Sequence, residues 1–185
     1  MSKTSKLLLV QQSLLLSIFS LLGGCSSAAS PPQSTMKSSP VQVQPSYPGA
    51  QNLPITAQIV VKKNIINLEV ASTRQEQAIG LMFRQSMPSD RGMVFNFSQP
   101  QPAQFWMKNT LIPLDMLFLT KGVIKNIQID VPPCKDEPCP SYGPKPDVLI
   151  DQVIELNAGR AVTLGLKVGD KLVVQKVLPA RKPQP

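Results

Sequence analysis

The sequence predicts a mainly β fold of the β-rich α+β type, a compact barrel- or sandwich-like single domain with one or two short helices. Runs of β-branched and aromatic residues, separated by turn residues, occur at strand-like spacing between residues 55 and 178. Only two short stretches have a pattern typical of a helix. With 185 residues, 42% of them hydrophobic, the chain is long enough for one domain with a real core, plus tails.

Residues 1–24 have the pattern of an export signal. Lys3 and Lys6 precede an apolar run, and two glycines then lead to Cys25. The run is shorter than the roughly 20 apolar residues of a membrane-spanning helix. The order Leu22-Gly23-Gly24-Cys25 resembles the bacterial lipoprotein signal, in which the cysteine receives a diacylglycerol and becomes the new N-terminus. An ordinary signal peptide cut nearby is the alternative.

The lipoprotein signal predicts an exported protein, held by acylated Cys25 on the outer face of a bacterial membrane, in the periplasm or cell envelope. Residues 25–54 are rich in Ser, Pro and Gln, and they offer few apolar side chains to offset the entropy of ordering. This composition predicts a disordered tether between the anchor and the domain. Residues 179–185 are predicted to be a short tail after the domain at 55–178.

The domain begins with a predicted hairpin of strands at 55–61 and 65–70. Thr73 and Glu76 follow with the spacing of a capping box, in which the hydroxyl and the carboxylate each accept a hydrogen bond from a backbone N–H of the first helical turn. A helix is therefore predicted to start here and to run to about Arg84.

The rest of the domain has the pattern of strands joined by turns. Pro113 has no N–H donor, which places it at an edge, a bulge or the start of a strand. A proline-rich loop at 132–147 holds two cysteines, and a second short helix is predicted at 160–166. A total of about eight strands is typical of a small barrel or sandwich. The strands after the helix are predicted at 92–97, 103–107, 111–119, 123–131, 148–156 and 171–177.

The formal net charge of +8 comes from scattered basic residues and not from a basic run. Because no binding motif or aromatic interleaving accompanies them, nucleic acid is not predicted as a partner. Weak attraction to anionic lipid or glycan is compatible with such a surface. The chain contains no histidine, which excludes Ser-His-Asp and Cys-His nucleophilic systems and His-based metal sites. Neither a metal nor another cofactor is predicted.

Several short strings of the domain are distinctive, above all WMKNT at 106–110. Together they resemble domain-of-unknown-function family 192, over about residues 57–177. The resemblance implies a compact β-rich fold and frequent export, here as a bacterial lipoprotein, with no established activity. The strings are GLMFR at 80–84, GMVF at 92–95, FWMKNT at 105–110, PLD at 113–115, PC at 133–134, CP at 139–140, EL at 155–156, AG at 158–159 and GLKVGD at 165–170.

The WMKNT string is the first candidate for a binding site. On a strand, Trp106 and Lys108 share one face, which would give a cleft an apolar wall and a cation. Arg84 could converge on this face as it leaves the predicted helix, and Asp115 could pair with either cation. With Asn109, these side chains would suit an anionic or glycan-like ligand. The structural alternative has Trp106 in the core and Asn109 in a turn.

Cys134 and Cys139 lie in a proline-bounded loop, and in an exported protein such a pair predicts a disulfide. A redox pair is disfavoured because the spacing is not C-x-x-C, and a zinc site would need two further ligands. A catalytic carboxylate pair among Glu76, Asp115 and Glu155 is also disfavoured, because none of them stands in a recognised catalytic string.

Two functions follow as hypotheses. The first is a lipid-anchored cell-envelope protein whose domain acts as a binding or structural module. The alternative is an enzyme on cell-wall or glycan-like substrates that uses Lys108, Asp115 and Arg84. Convergence of these three side chains in a concave pocket would favour the enzyme, whereas their use in tying up backbone groups would favour the module.

Overall fold

A computed structural model describes residues 49–178 of the chain. The predicted signal peptide at 1–24, the predicted lipidation site Cys25, most of the predicted tether and the predicted tail lie outside the described residues. Within 49–178, no helix has both the length and the apolar character needed to cross a bilayer.

The described part of the chain is mainly β and sandwich-like, which confirms the predicted fold class. It contains nine strands and two short helices, and the strands do not close into a barrel. In chain order the elements are β1 Ile55–Val61, β2 Asn64–Ala71, α1 Arg74–Ile79, β3 Arg91–Gln101, β4 Phe105–Trp106, β5 Leu114–Thr120, β6 Val123–Val131, β7 Ser141–Tyr142, β8 Ile150–Asn157, α2 Arg160–Leu164 and β9 Gln175–Lys176.

Seven of these strands form one mixed sheet in the order β6-β5-β8-β3-β2-β1-β9. All neighbours are antiparallel except β2 and β3, which are parallel. A parallel pair needs a crossover connection, and α1 with the loop after it supplies one. The short strands β4 and β7 pair separately as a two-stranded ribbon.

Both faces of the sheet are buried, because alternate residues of the central strands enter two different cores. Val94 of β3 belongs to the first core and Phe95 to the second. The first core is completed by Ala161 and Leu164 of α2. The second is covered by the turn after α1 and by the segments around β4 and β7. This burial explains why β5 is an almost unbroken apolar run.

The C-terminal segment 169–177 reaches both edges of the sheet. Lys171 forms an isolated bridge with Val123 at the start of β6, whereas β9 pairs with β1 at the opposite edge. The long last strand predicted at 171–177 is therefore wrong. Residues 172–174, between these two pairings, belong to no strand, so only Gln175–Lys176 is a strand here.

Three other predicted boundaries change for local reasons. The helix predicted to reach Arg84 ends at Ile79, since Gly80 follows with φ +51°. The strand predicted at 103–107 is reduced to Phe105–Trp106. The strand predicted at 111–119 begins only at Leu114, directly after Pro113.

Candidate functional site

A cleft of about 350 Å³ opens against the second core. Four aromatic side chains line it: Phe95, Phe97, Phe105 and Trp106. Phe95 and Phe105 meet edge to face, with ring centroids 5.1 Å apart, and this geometry fixes the inner wall. Trp106 is 52% exposed, so it forms the mouth of the cleft. A concave site with aromatic walls and few polar groups is the usual form of a small-molecule site.

The opposite side of the cleft is α1 and the turn after it. The predicted capping box is present: Glu76 N–H donates to the Thr73 hydroxyl at 3.1 Å, and Thr73 N–H donates to the Glu76 carboxylate at 2.8 Å. These bonds fix the start of a helix of only six residues. Gly80 ends it, and a Cβ added there would lie 3.3 Å from the Phe95 ring. Glycine thus lets the turn lie close against the aromatic wall.

One titratable side chain, Glu155, lines the cleft at its buried end. Glu155 is only 5% exposed. The residues that pair with it on the adjacent strands are Met93 of β3 and Met116 of β5. Burial raises the pKa of Glu155 to about 8, with the positive charge of Arg84 acting in the opposite direction. At neutral pH the carboxyl is therefore mostly protonated, and it can donate a hydrogen bond into the cleft.

This pKa shift makes the stability of the protein depend on pH. Because the folded pKa of about 8 exceeds the ordinary value of 4.5, the contribution of Glu155 is complete below the unfolded pKa and is lost as pH rises towards 8. Glu155→Gln removes the titration. The free energy of unfolding of this variant should rise relative to the natural chain by about 2–3 kcal/mol between pH 4.5 and pH 7. Urea unfolding over this range measures the difference, and parallel stability curves would contradict it.

Arg84 lies in a buried ion pair. Its two terminal nitrogens donate to the two carboxylate oxygens of Glu69 at 2.7 and 2.6 Å, and one also donates to the carbonyl of Gln51 at 2.6 Å. Glu69 in turn accepts from Leu53 N–H at 2.7 Å. Arg84 thus ties the segment before β1 to the loop after α1. Its Nε atom is buried, and it has no hydrogen-bond partner among the described residues.

Lys108 lies at the mouth of the cleft, beside Trp106. Its ammonium is 5.5 Å from the centre of the Trp106 ring, an arrangement typical of a cation–π contact. It is also 2.8 Å from a carboxylate oxygen of Glu137, and both side chains are exposed. The bond from Lys108 holds the pKa of Glu137 below its usual value. Asn109 has φ +56° and forms a turn, and its carbonyl accepts from Phe83 N–H at 2.8 Å.

Asp115 is fully buried. Its side chain does not line the cleft and contacts backbone N–H groups instead. Its carboxylate accepts hydrogen bonds from three backbone N–H groups: Asp130 at 2.8 Å, Gly159 at 3.1 Å and Ala161 at 2.7 Å. These bonds connect β5 to β6 and to the start of α2. The arrangement assigns Asp115 a structural task that the sequence did not indicate.

The predicted site residues are thus brought together only in part. Trp106 lines the cleft, and Lys108 contacts the Trp106 ring. Arg84 is paired with Glu69, and Asp115 accepts hydrogen bonds from backbone N–H groups. The prediction of an anionic or glycan-like ligand at these residues stays a prediction. Among the described residues, no group of three His, Cys, Asp or Glu side chains is arranged to hold a metal ion.

Glu155 lines the cleft, but the sequence alone did not indicate it as a binding residue. The sequence alone presents Glu155 only as one half of a carboxylate pair with Asp115. The available signal was its position within Val153-Ile154-Glu155-Leu156, where an acid interrupts an apolar strand that is buried on both faces. An acid in such a strand must be neutral or paired, and that makes it a candidate for function.

The disulfide predicted between Cys134 and Cys139 is present, with Cα atoms 5.6 Å apart. It closes the loop that carries Glu137, the partner of Lys108. Replacing both cysteines by serine should lower the free energy of unfolding by about 2 kcal/mol, the loop-closure entropy expected for so short a loop. Urea unfolding with and without reductant checks this value. A reductant effect that persists in the double variant would contradict the assignment.

Comparison with known proteins gives one family and two solved structures. The model of family DUF192, described as "Uncharacterized ACR", matches residues 57–174. A "putative transcription regulator" from Sinorhizobium meliloti is 30% identical with a TM-score of 0.57, covering 68% of this chain and 98% of its own. A protein of unknown function from Novosphingobium aromaticivorans is 32% identical with a TM-score of 0.56, covering 69% of this chain and 93% of its own. Among curated proteins, none matches this sequence.

Proposed function

The chain belongs to the DUF192 family, and we propose that this member is a lipid-anchored binding module of the cell envelope. In this proposal the cleft beneath Trp106 takes up a small, partly apolar molecule. The observation that carries it is the cleft itself, which combines four aromatic rings with a single buried carboxyl. In such sites apolar and aromatic walls bury most of the ligand surface, and a small number of polar groups orient the ligand.

The charges around the cleft favour a ligand that is not an anion. No lysine or arginine is among its lining residues, and Lys108 at the mouth is already paired with Glu137. Of the two ligand classes predicted from the sequence, a glycan-like molecule therefore fits better than an anionic one. The exposed face of Trp106 is a suitable surface for stacking against an apolar or sugar face.

The chain contains one tryptophan, so its fluorescence tests the proposal directly. Benzyl alcohol, methyl β-glucoside and benzylamine are suitable probes, with inorganic phosphate as an anion. At least one of the organic probes should change the emission of Trp106 saturably, and phosphate should not. If none of the organic probes does so, the proposed function is wrong.

A pair of variants on α1 separates binding in the cleft from binding elsewhere. Ala78 lines the cleft and is exposed, so Ala78→Phe should place a ring in it and weaken probe binding at least tenfold. Gln75 is on the same helix, is exposed and does not line the cleft, so Gln75→Phe is the matched control and should bind as the natural chain does. Equal affinities for the two variants would contradict binding in the cleft.

The location is the second part of the proposal and rests on the sequence pattern that ends at Cys25. A diacylglycerol and a further acyl chain would hold the protein stably at a membrane, because two chains anchor where one binds only marginally. Expression in a bacterial host with an alkyne-labelled fatty acid should label the natural chain, and Cys25→Ser should abolish both the label and the recovery of the protein in the membrane fraction. Label that persists in the variant would contradict anchoring at Cys25.

The enzyme alternative receives less support from the geometry. Its three proposed groups serve other contacts: Lys108 pairs with Glu137, Arg84 with Glu69, and Asp115 with backbone N–H groups. We also leave nucleic acid outside the proposal, although the similar protein from Sinorhizobium meliloti carries the description "putative transcription regulator". The basic residues of this chain are scattered and no nucleic-acid-binding motif accompanies them.

A further inference from the structure

The charge balance at the buried end of the cleft identifies the kind of ligand that this site would take. Two carboxyl groups, Glu69 and Glu155, lie within the influence of one guanidinium, that of Arg84. Both terminal nitrogens of Arg84 are used by Glu69, at 2.7 and 2.6 Å. The charge of Arg84 acts on Glu155, but no hydrogen bond between the two side chains accompanies it among the described residues. Among the described residues, the carboxyl of Glu155 therefore has no cation paired with it directly.

A buried carboxylate is stable only when a positive charge or a proton compensates it. In the unliganded protein the proton does so. In a complex, a cation that enters the cleft would do the same, provided that it reaches the carboxyl of Glu155. The cleft leads from the exposed Trp106 to this carboxyl, and none of its other lining residues is charged.

The walls of the cleft are suited to the same kind of ligand. Aromatic faces attract cations through their quadrupole, and ammonium groups are recognised in this way inside aromatic cages. The chain already contains one such contact, since the ammonium of Lys108 lies 5.5 Å from the centre of the Trp106 ring. A mobile ammonium could make equivalent contacts with Phe97 and Phe105 deeper in the cleft.

We infer that the ligand of this cleft is a small organic cation, an ammonium group carried on an apolar or aromatic body. Its ammonium pairs with the carboxylate of Glu155, and its body packs against Phe95, Phe105 and Trp106. The inference rests on the proposed function, because it names the ligand class for the same cleft. Binding involves proton exchange only: the proton of the Glu155 carboxyl leaves to solvent as the ammonium arrives, and no covalent bond to carbon or nitrogen changes.

The pH dependence of this exchange follows from the groups around Glu155. Arg84, from the loop after α1, is the charged group that acts on Glu155, and Arg84 is itself paired with Glu69 of β2. Because the pKa of Glu155 is about 8, ionising it at pH 7 costs about a factor of ten in affinity. The affinity for an ammonium should therefore rise about tenfold from pH 6 to pH 7 and level off above pH 8.

Benzylammonium and benzyl alcohol test the inference, since they share an aromatic body and differ in charge. Titrations that follow Trp106 emission give the affinities, and calorimetry at pH 7 in two buffers of different ionisation enthalpy counts the protons released. We expect benzylammonium to bind at least tenfold more tightly than benzyl alcohol and to release nearly one proton. Benzyl alcohol should release none.

Two variants complete the test. Glu155→Gln keeps the size of the side chain but removes its charge, so it should lose the preference for benzylammonium and keep the weaker binding of benzyl alcohol. Asp147→Asn is the matched control, since Asp147 is exposed and outside the cleft lining, and it should bind like the natural chain. Equal binding of the two probes by the natural chain, or binding without proton release, would overturn the inference and leave the proposed function standing. If neither probe changes the emission of Trp106 at any pH between 6 and 9, the inference fails, and the proposed function fails with it when methyl β-glucoside also leaves the emission unchanged.

Discussion

Asp115→Ala is expected to lower the free energy of unfolding by about 4–5 kcal/mol. The carboxylate is fully buried and accepts three backbone hydrogen bonds of 2.7–3.1 Å. Each buried N–H that loses its partner costs about 1–3 kcal/mol, and hydrogen bonds to a charged acceptor are the stronger kind. The loss affects β5, β6 and the start of α2 at once, so we expect a single cooperative transition at lower urea concentration.

Two further substitutions test whether the number of buried hydrogen bonds determines the loss in free energy of unfolding. Asp115→Asn retains one acceptor oxygen and should cost about half as much. Asp151 also accepts a backbone bond, from Lys121 N–H at 2.7 Å, but in contact with solvent, so Asp151→Asn should cost about 1 kcal/mol or less. Similar losses for Asp115→Ala and Asp151→Asn would contradict the role given to Asp115.

Arg84→Ala is the second large effect, with an expected loss of about 3–5 kcal/mol. The substitution leaves Glu69 as an uncompensated buried carboxylate, and it also removes the bond to the carbonyl of Gln51. Removing one partner of a buried pair costs more than removing both, because the remaining charge has lost both water and its counter-ion. The double variant Arg84→Met with Glu69→Leu should therefore recover a large part of the loss.

Lys108→Met is the matched control for Arg84. Lys108 also pairs with a glutamate, at 2.8 Å, but both side chains are exposed, and exposed pairs contribute little to stability. We expect its urea midpoint to equal that of the natural chain. If the double variant at 84 and 69 is no more stable than Arg84→Ala, the account of a buried, mutually dependent pair is wrong.

The order and type of the main elements could be predicted from the sequence because they depend on local patterns. The capping box of Thr73 and Glu76 is a property of four consecutive residues and is present in the structure. The disulfide followed from composition and the predicted export. The sheet order could not be predicted, because the parallel pairing of β2 with β3 depends on contacts across the crossover through α1.

The site was harder to predict because the folded structure, and not the neighbouring sequence, determines which charged side chains pair. Arg84 and Lys108 have similar charges, yet one is buried against Glu69 and the other is exposed beside Glu137. Nothing in their neighbouring residues distinguishes the two. Glu155 was detectable in principle, as an acid within an apolar strand. Its partner in charge balance, Arg84, is 71 positions away along the chain, and only the fold brings their charges close enough to interact.

The two ends of the large sheet have a consequence for contacts between copies of the chain. β9 has two residues, and β6 has irregular pairing with β5 and a bridge at its first residue to the C-terminal segment. Within residues 49–178, neither end offers the long, flat row of free N–H and C=O groups on which a second copy could add a strand. Strand addition between copies at these two ends is therefore disfavoured.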